Sequence, residues 1–156
     1  YIHEVLDVKD EISITGPYGE FYLREDSDRD IICIGGGCGM APIRSIIYHL
    51  KEKNMSRKIT YFFGARRAMD LFYTEELREI QKQYPNFKYV PALSEPKPED
   101  KWEGEAGFIT QTVERYIEAG SNMEAYLCGP PPMIDASLKV LTKKGIADNN
   151  IYYDKF

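Results

Sequence analysis

The sequence lacks the residues that several common kinds of site require. It has three cysteines in 156 residues (Cys33, Cys38 and Cys128), without C-x-x-C spacing, and only two histidines. An odd number of distant cysteines argues against a disulfide framework or a zinc site and favours free thiols in a reducing compartment. Cys33 and Cys38 have the first spacing of a plant-type iron–sulfur ligand run, but the C-x-x-C that should follow is missing. We therefore expect no metal site.

Charge and hydropathy exclude two further classes of partner. The chain has 20 Lys and Arg against 25 Asp and Glu, a net charge of -5, so it lacks the basic excess that nucleic-acid binding requires. No apolar run approaches the roughly 20 residues of a membrane span. We expect the chain to be soluble, with no membrane contact and no nucleic-acid partner. Because it begins with Tyr1, we also expect it to be part of a longer polypeptide.

Short apolar runs alternate with amphipathic stretches from about residue 31 onward. This pattern predicts strands at 31–34, 58–63, 87–93, 124–128 and 150–153, helices at 41–53, 71–83, 107–119 and 131–144, and a loop at 94–106. Gly120 and Gly145 are expected to follow helix ends. Strand–helix alternation of this kind predicts an α/β fold with a doubly wound five-stranded parallel sheet and helices on both faces.

The first 30 residues do not follow that alternation. The stretch "DEISITGPYGEFYL" predicts an antiparallel strand, a Gly-Pro turn and a second short strand, and the charged residues 24–30 predict a linker or solvated loop. We therefore assign residues 1–24 to the C-terminal strands of an otherwise absent β-barrel domain, and residues 25–156 to the α/β domain.

A glycine-rich turn follows the first predicted strand, in "IICIGGGCGMAPIRS" (residues 31–45). A strand that turns directly into a helix aims the free N–H groups and the positive dipole end of that helix at one point. Glycines there allow φ > 0 and close approach of a pyrophosphate, and Pro42 suits the first helical position. The motif departs from G-x-G-x-x-G, because Pro42 replaces the third glycine and no acidic residue ends the second strand. A tight turn without a ligand is the alternative.

The motif "CGPPPM" (residues 128–133) follows the fourth predicted strand. Ligands of doubly wound sheets bind at the carboxyl ends of the strands, where the strand order reverses. Cys128 and the glycine turn would flank that crevice. The alternative is that Cys128 is a small buried side chain and that the prolines only begin a helix.

The stretch "FGARRAMDLFYTEEL" (residues 63–77) leaves the second predicted strand through Gly64, Ala65 and Arg66. The adenosine ribose lies at this end of a doubly wound sheet, where an arginine stacks on adenine or pairs with a phosphate. A solvated charged loop is the alternative for both Arg66 and Arg67.

In this order, the motifs "GPYGEF", "IGGGCGMAPIRS", "FGARRAMDLFY", "ALSEP", "GFIT" and "CGPPPM" resemble the ferredoxin–NADP⁺ reductase superfamily over essentially the whole chain. Within it, they are most similar to the C-terminal NADH-binding domains of the F subunits of Na⁺-translocating NADH:quinone reductases. The resemblance implies cofactor-binding roles for Gly36, Gly37, Cys38, Gly39, Met40 and Pro42 at the pyrophosphate, for Gly64, Ala65, Arg66 and Asp70 at the adenosine end, and for Ser94, Cys128, Gly129, Pro130, Met133 and Phe156.

Two of these residues receive roles in catalysis. The resemblance places Cys128 beside the nicotinamide, where we expect it to position the ring and not to act as a nucleophile, and places Phe156 against a flavin. Cys38 departs from the family, which usually has Thr, Ser or Ala there. The "DLFY" pattern resembles NADH-using members, with Asp70 expected to disfavour the 2′-phosphate of NADPH.

The implied activity is that of an NADH dehydrogenase subunit, in which hydride passes from NADH to FAD and electrons then pass to a 2Fe-2S centre. The family's R-x-Y-[ST] flavin motif and its cluster cysteines do not occur in this sequence. We therefore expect the chain to bind NADH but not FAD, with residues 1–24 as a remnant of a flavin-binding barrel. The implied partners are the flavin domain and ferredoxin-like domain of the same polypeptide and other subunits of a respiratory complex, on the cytoplasmic face of the inner membrane.

Two alternatives remain open at this point. The first is the reductase component of a multicomponent oxygenase, since these reductases share much of the pattern. The second is a non-catalytic NAD(H)-sensing module. A terminal aromatic such as Phe156 serves a flavin, whereas a sensor has no use for it.

Overall fold

The computed structural model describes residues 1–16, 18–120 and 122–156, in which six strands form one parallel sheet of order β4-β3-β2-β1-β5-β6. The strands are β1 (Asp30–Gly36), β2 (Ile59–Ala65), β3 (Phe87–Leu93), β4 (Glu105–Ala106), β5 (Met123–Gly129) and β6 (Ile151–Lys155). The chain moves outward from β1 to β4 and then returns to β5 on the other side of β1. The strand order therefore reverses between β1 and β5, which is where doubly wound sheets bind ligands.

Four helices cover the two faces of this sheet: α1 (Met40–Glu52), α2 (Thr74–Gln83), α3 (Ile109–Tyr116) and α4 (Pro131–Lys143). Side chains of β1 alternate between the faces, as the pleat of a strand requires. Ile31 and Cys33 belong to a core with residues of α1 and α2, whereas Ile32 and Ile34 belong to a core with residues of α3 and α4. Burial on both faces explains the continuous apolar run of β1.

The predicted α/β architecture is confirmed, but the sheet has six strands and not five. The additional strand β4 lies in the segment that was expected to be a loop, and it pairs with Ala92 and Leu93 of β3. Two residues are too few to show an alternation of apolar and polar positions, so the sequence contained no signal for this strand.

Several helix boundaries also differ from the prediction, among them the starts of α2 at Thr74 and of α3 at Ile109, which were expected at residues 71 and 107. Helix α3 ends at Tyr116, because Ile117 is extended (φ -94°, ψ 123°) and buries its side chain; Gly120 therefore lies beyond the helix end. Helix α1 begins at Met40, after a 3₁₀ turn of Gly37–Gly39, which makes Pro42 its third residue and not its first. Pro42 is still tolerated, because the first four N–H groups of a helix have no partner within it. Gly145, with φ +88°, follows α4 as predicted.

The predicted strands of the N-terminal segment do not form. Residues 1–16 and 18–29 contain no strand, and Ile12 and Ile14 are exposed. A strand is stable only when its N–H and C=O groups pair with a neighbour. Pro17, in the predicted Gly-Pro turn, lies outside the described residues. The assignment of residues 1–24 to a flavin-binding barrel stays a prediction. Across the described part of the chain, no helix has both the length and the apolar character needed to cross a membrane.

Residues 24–29 form a loop with exposed charged side chains, as predicted, but both ends of this loop are tied to the sheet. The Arg24 N–H donates to the Tyr126 hydroxyl (2.9 Å), and Arg57 donates to the carbonyls of Arg24 and Arg29. Arg57 in turn contacts the carboxylate of Glu124, which is 1% exposed and also accepts a hydrogen bond from Tyr126. A buried ionic network therefore anchors this segment at the amino ends of the strands.

Candidate functional site

A cleft of about 510 Å³ lies where β1, β2, β3 and β5 end, at the carboxyl edge of the sheet. Its size is within the range of about 300–1,000 Å³ that is usual for small-molecule sites. The predicted site residues that line it are Gly36, Gly37, Cys38, Gly64, Ala65, Arg66, Asp70, Ser94, Pro130 and Met133. The structure thus brings together residues from four predicted motifs that are far apart in sequence.

The glycine-rich turn faces this cleft with its backbone. Gly37 has φ +55°, which favours glycine, and a Cβ placed on it would meet no atom within 4 Å. Cys38 is exposed and lines the cleft beside it. Because α1 begins directly after this turn, the positive end of its dipole is close to the cleft. The turn is therefore open to an anionic group such as a pyrophosphate.

Three residues predicted at the pyrophosphate do not line the cleft. A Cβ on Gly39 would come within 2.0 Å of the Cys128 carbonyl oxygen, so glycine is required there for the turn to pack against β5, and its role at a pyrophosphate stays a prediction. The Met40 side chain is in the apolar core. Pro42 faces a different cavity, which it lines with residues 21–23. These three residues therefore support the glycine turn on the side that faces away from the cleft.

At the predicted nicotinamide end, the Cys128 side chain is 3% exposed. Burial, with a smaller effect of Asp154, raises the pKa of its thiol to about 11. The group is therefore a neutral thiol at physiological pH and not a nucleophilic thiolate. Cys128 belongs to the apolar core and does not line the cleft, so its positioning role stays a prediction. Pro130 and Met133 reach the cleft, and the Met133 sulfur lies 2.6 Å from an ideal Cβ on Gly36, so a side chain there would displace the Met133 side chain.

Phe156 does not line the cleft. Its N–H lies 3.4 Å from the Gly129 carbonyl oxygen, and its side chain is 59% exposed beside the end of β5. An exposed terminal aromatic at this position is available to stack on a planar group. Its contact with a flavin stays a prediction.

Both arginines after β2 are paired with carboxylates. Arg66 donates from Nε and Nη2 to the two carboxylate oxygens of Glu95, each at 3.1 Å. Arg67 donates to both oxygens of Asp100 (2.7 and 3.1 Å) and to Glu99 (3.0 Å). The Arg67 guanidinium holds the pKa of Asp100 below its ordinary value. The hypothesis of a solvated charged loop is therefore wrong for Arg67, whose side chain is only 21% exposed.

Sequence reasoning assigned no role to two aromatic residues on the cleft. Phe72 is 45% exposed and packs against Phe63, and Phe108 is 70% exposed immediately before α3. Exposed aromatic faces bordering a cleft suit a flat ring system such as adenine or nicotinamide. The signal was present in "DLFY" and "GFIT", where a large apolar residue follows a turn and precedes a helix.

The beginning of α3 forms one wall of the cleft for a steric reason. A Cβ on Gly64 would lie 2.9 Å from the Cβ of Ile109, so glycine at the end of β2 lets α3 come close to the sheet. Gly107, with φ +104°, makes the turn that brings Phe108 and Ile109 to the cleft. Gly64 is thus explained by packing as well as by its place on the cleft.

Comparison with known proteins agrees with this geometry. The family of oxidoreductase NAD-binding domains matches residues 33–139, which contain the glycine turn and most of the cleft. The chain belongs to this family. It is part of the ferredoxin reductase superfamily, as the sequence motifs indicated. Among the described residues, no group of three or more His, Cys, Asp or Glu side chains is placed to hold a metal ion.

Relatives of this NAD-binding domain have different names. The chain is 42% identical over its whole length to the phenol hydroxylase P5 protein of Acinetobacter pittii, of which it covers 44%. Over 94% of its length it is 44% identical to the F subunit of the Na⁺-translocating NADH-quinone reductase of Neisseria meningitidis, of which it covers 37%. The cytochrome P450 reductase GcoB of Amycolatopsis has the same fold over the whole chain, with a TM-score of 0.86, 31% identity and 47% of its own length covered.

The chain therefore spans less than half the length of these relatives. The cleft suits the dinucleotide that the family name implies. An open glycine turn lies at the start of α1, a charged pair lies at the end of β2, and aromatic faces border the wall. These are the groups that a pyrophosphate with a planar ring on each side requires.

Proposed function

We propose that this chain is the NADH-binding domain of a flavin-dependent reductase, in which hydride passes from NADH to FAD and electrons continue to a 2Fe-2S centre. FAD and the cluster would be bound by a flavin domain and a ferredoxin-like domain of a longer polypeptide. The observation that carries the proposal is the cleft at the β1/β5 edge, where an open glycine turn and exposed aromatics meet. Reduced nicotinamide dinucleotides carry a transferable hydride on C4 of the ring.

The residues of this chain bind and orient the dinucleotide. The backbone of Gly37 and Cys38 would hold the pyrophosphate at the N-terminus of α1, and Phe72 or Phe108 would support the adenine. Cys128, a buried neutral thiol next to Gly129 and Pro130, would add no charge at the nicotinamide end. Fixing two reacting rings in contact removes about 7–11 kcal/mol of entropic barrier, so positioning alone is a large contribution to rate.

We further propose that the longer protein is the NADH-oxidising component of a Na⁺-translocating NADH:quinone reductase, working with other subunits at the cytoplasmic face of the inner membrane. The 44% identity to the F subunit of such a reductase supports this assignment. The reductase component of an oxygenase is a second candidate, supported by the 42% identity over the whole chain to a phenol hydroxylase protein. The electron acceptor of the longer protein distinguishes them. Reduction of a quinone favours the first, and reduction of an oxygenase component favours the second.

Binding of NADH is tested by a matched pair of variants at Cys38. This side chain is exposed on the cleft, so Cys38→Asp adds one negative charge near the proposed pyrophosphate, whereas Cys38→Ser keeps size and neutrality. One unit charge about 4 Å from another in water is worth roughly 1 kcal/mol, and a pyrophosphate carries two. We expect Cys38→Asp to weaken NADH binding by about tenfold or more and Cys38→Ser by less than about threefold.

Isothermal titration calorimetry of the 156-residue chain measures both affinities, and circular dichroism checks that each variant is folded. Absence of NADH binding to the folded parent chain would refute the proposed function. Equal affinity of the Asp and Ser variants would place the pyrophosphate elsewhere. The non-catalytic sensing module requires a further experiment on the longer protein, in which NADH must reduce a bound flavin if the reductase assignment is correct.

A further inference from the structure

The charged pair at the end of β2 has consequences for which dinucleotide can bind. We propose that Glu95 is a specificity-determining residue: its carboxylate occupies the Arg66 guanidinium that would otherwise bind the 2′-phosphate of NADPH, and the site therefore selects NADH. This inference rests on the proposed function, because it assumes that the adenosine end of a dinucleotide lies beside Arg66.

The backbone fixes the position of Glu95. Beyond the paired strands, the Ser94 N–H donates to the Ala65 carbonyl (2.9 Å) and the Glu95 N–H donates to the Arg66 carbonyl (3.0 Å). These two hydrogen bonds hold the segment after β3 against the segment after β2, so the side chains of residues 66 and 95 are neighbours. Arg66 itself lines the cleft, as does Ser94, so the ion pair stands at its rim.

The geometry of the pair is that of a fork. Nε and Nη2 of Arg66 each lie 3.1 Å from a different oxygen of Glu95. A phosphate is bound by arginine through the same kind of bidentate contact, so a carboxylate and a 2′-phosphate compete for one edge of the guanidinium. The competition occurs near solvent, because the side chains are 74% and 57% exposed, and it can therefore be shifted by a single substitution.

The neighbouring Arg67 is not an alternative binder of the phosphate. It donates to both oxygens of Asp100 and also to Glu99, and the Asp100 side chain is only 8% exposed. A phosphate would have to displace a buried carboxylate that is itself held by the Lys97 N–H (2.8 Å). Arg67 therefore holds the 97–100 segment in place, and Arg66 is the guanidinium that a substitution can release.

The sequence pointed to Asp70 as the carboxylate that disfavours NADPH, whereas Glu95 is the carboxylate that contacts Arg66. One oxygen of Asp70 accepts the backbone N–H of Arg67 at 3.0 Å and closes a 3₁₀ turn. Asp70 lines the cleft, but it holds neither guanidinium. The negative charge of Asp70 would act on a 2′-phosphate only at a distance, whereas the Glu95 carboxylate contacts the Arg66 guanidinium that the phosphate would bind.

The expected size of the effect follows from charge. A unit charge in contact with another in water changes an equilibrium constant by about fivefold, and a 2′-phosphate carries a charge of about -1.5 to -2. Removing the Glu95 charge should therefore lower the ratio of the NADPH dissociation constant to that of NADH by about tenfold or more. NADH has no 2′-phosphate, so its own affinity should change little.

The test compares Glu95→Gln with Glu99→Gln. Both variants keep the side-chain shape and remove one negative charge from the same loop, but Glu99 pairs with Arg67, which Asp100 continues to hold. Dissociation constants of NADH, NADPH, AMP and 2′-phospho-AMP are measured by calorimetry on the 156-residue chain at one ionic strength. A third variant, with Arg66→Gln added to Glu95→Gln, asks whether the gain depends on the released guanidinium.

We expect NADPH and 2′-phospho-AMP to gain affinity in the Glu95→Gln variant, AMP and NADH to stay within about threefold, and the gain to vanish in the double variant. Glu99→Gln should leave the NADPH to NADH ratio unchanged. The inference is overturned if NADH binds normally while Glu95→Gln does not alter this ratio, or if Glu99→Gln alters it equally. Failure of every nucleotide to bind the parent chain would instead refute the proposed function.

Discussion

Replacing Glu124 with glutamine should destabilise the fold more than any other removal of a single carboxylate charge among the described ion pairs. Glu124 is 1% exposed, and its partner Arg57 is 10% exposed, with Nη2 of Arg57 2.7 Å from the carboxylate. The glutamine can still accept the hydrogen bond from Tyr126, so the substitution removes charge and keeps shape. What remains is a buried guanidinium without a counter-ion.

The magnitude follows from this burial. Removing one partner of a buried ion pair costs about 3–5 kcal/mol, because the remaining charge is left uncompensated. A domain of this length loses roughly 2–4 °C of melting temperature per kcal/mol, which gives a decrease of about 6–20 °C. Arg57 also donates to the carbonyls of Arg24 and Arg29, so its displacement should release the segment that leads into β1.

Urea unfolding followed by circular dichroism measures the free energy of unfolding. Glu76→Gln is the matched control, because Glu76 also pairs with an arginine through two hydrogen bonds, but the Arg44 and Glu76 side chains are 35% and 31% exposed. Exposed pairs contribute about 0–1 kcal/mol. If Glu124→Gln loses no more stability than Glu76→Gln, the buried network does not hold the N-terminal segment, and the reasoning from burial is refuted.

Two further predictions concern single side chains. In the folded chain, iodoacetamide should modify the exposed Cys38 first and spare Cys33 and Cys128, because burial raises the pKa of both of these thiols. Saturating NADH should slow the modification of Cys38. If mass spectrometry finds Cys128 alkylated first, or finds no protection of Cys38 by NADH, the assignment of the cleft is contradicted. Asp100 has a lowered pKa because of Arg67, so its contribution to stability is complete above the ordinary pKa of 3.8 and is lost as pH falls through the lower folded value. Urea titrations should therefore show the advantage of the parent over Asp100→Asn shrinking below about pH 4, and an advantage that stays constant to pH 2 would contradict this.

The sequence predicted the architecture because its signals were local and repeated. Continuous apolar runs marked the central strands, and the glycine turn after β1 marked the carboxyl edge of the sheet. It failed for the N-terminal segment, since alternation in residues 11–16 indicates only that a strand can form, whereas a ladder needs a partner strand. The sequence also failed to predict β4, because this two-residue strand exists only through its pairing with Ala92 and Leu93 of β3, which no local pattern shows.

For the cleft, the sequence predicted which stretches meet but not which atoms face the ligand. Gly37 and Gly39 are equivalent in a motif, yet one faces open space and the other lies against the Cys128 carbonyl. Only the path of β5 past the turn distinguishes them. The same holds for Arg66 and Arg67, which are adjacent in sequence but pair with carboxylates of different burial.

The Arg57–Glu124 network and the Arg66–Glu95 pair lie at opposite ends of the sheet, and we expect the first to affect stability and the second to affect ligand binding. Glu124 is at the amino end of β5 and Gly129 is at its carboxyl end, five residues away, which corresponds to about 16 Å along a strand. Sites separated by more than about 10 Å without shared partners act independently. The buried Arg57–Glu124 pair anchors the N-terminal segment, because breaking a buried ion pair lowers the free energy of unfolding by several kcal/mol. The Arg66–Glu95 pair at the cleft is exposed, so replacing the carboxylate by another anion costs little, as the proposed selection between NADH and NADPH requires.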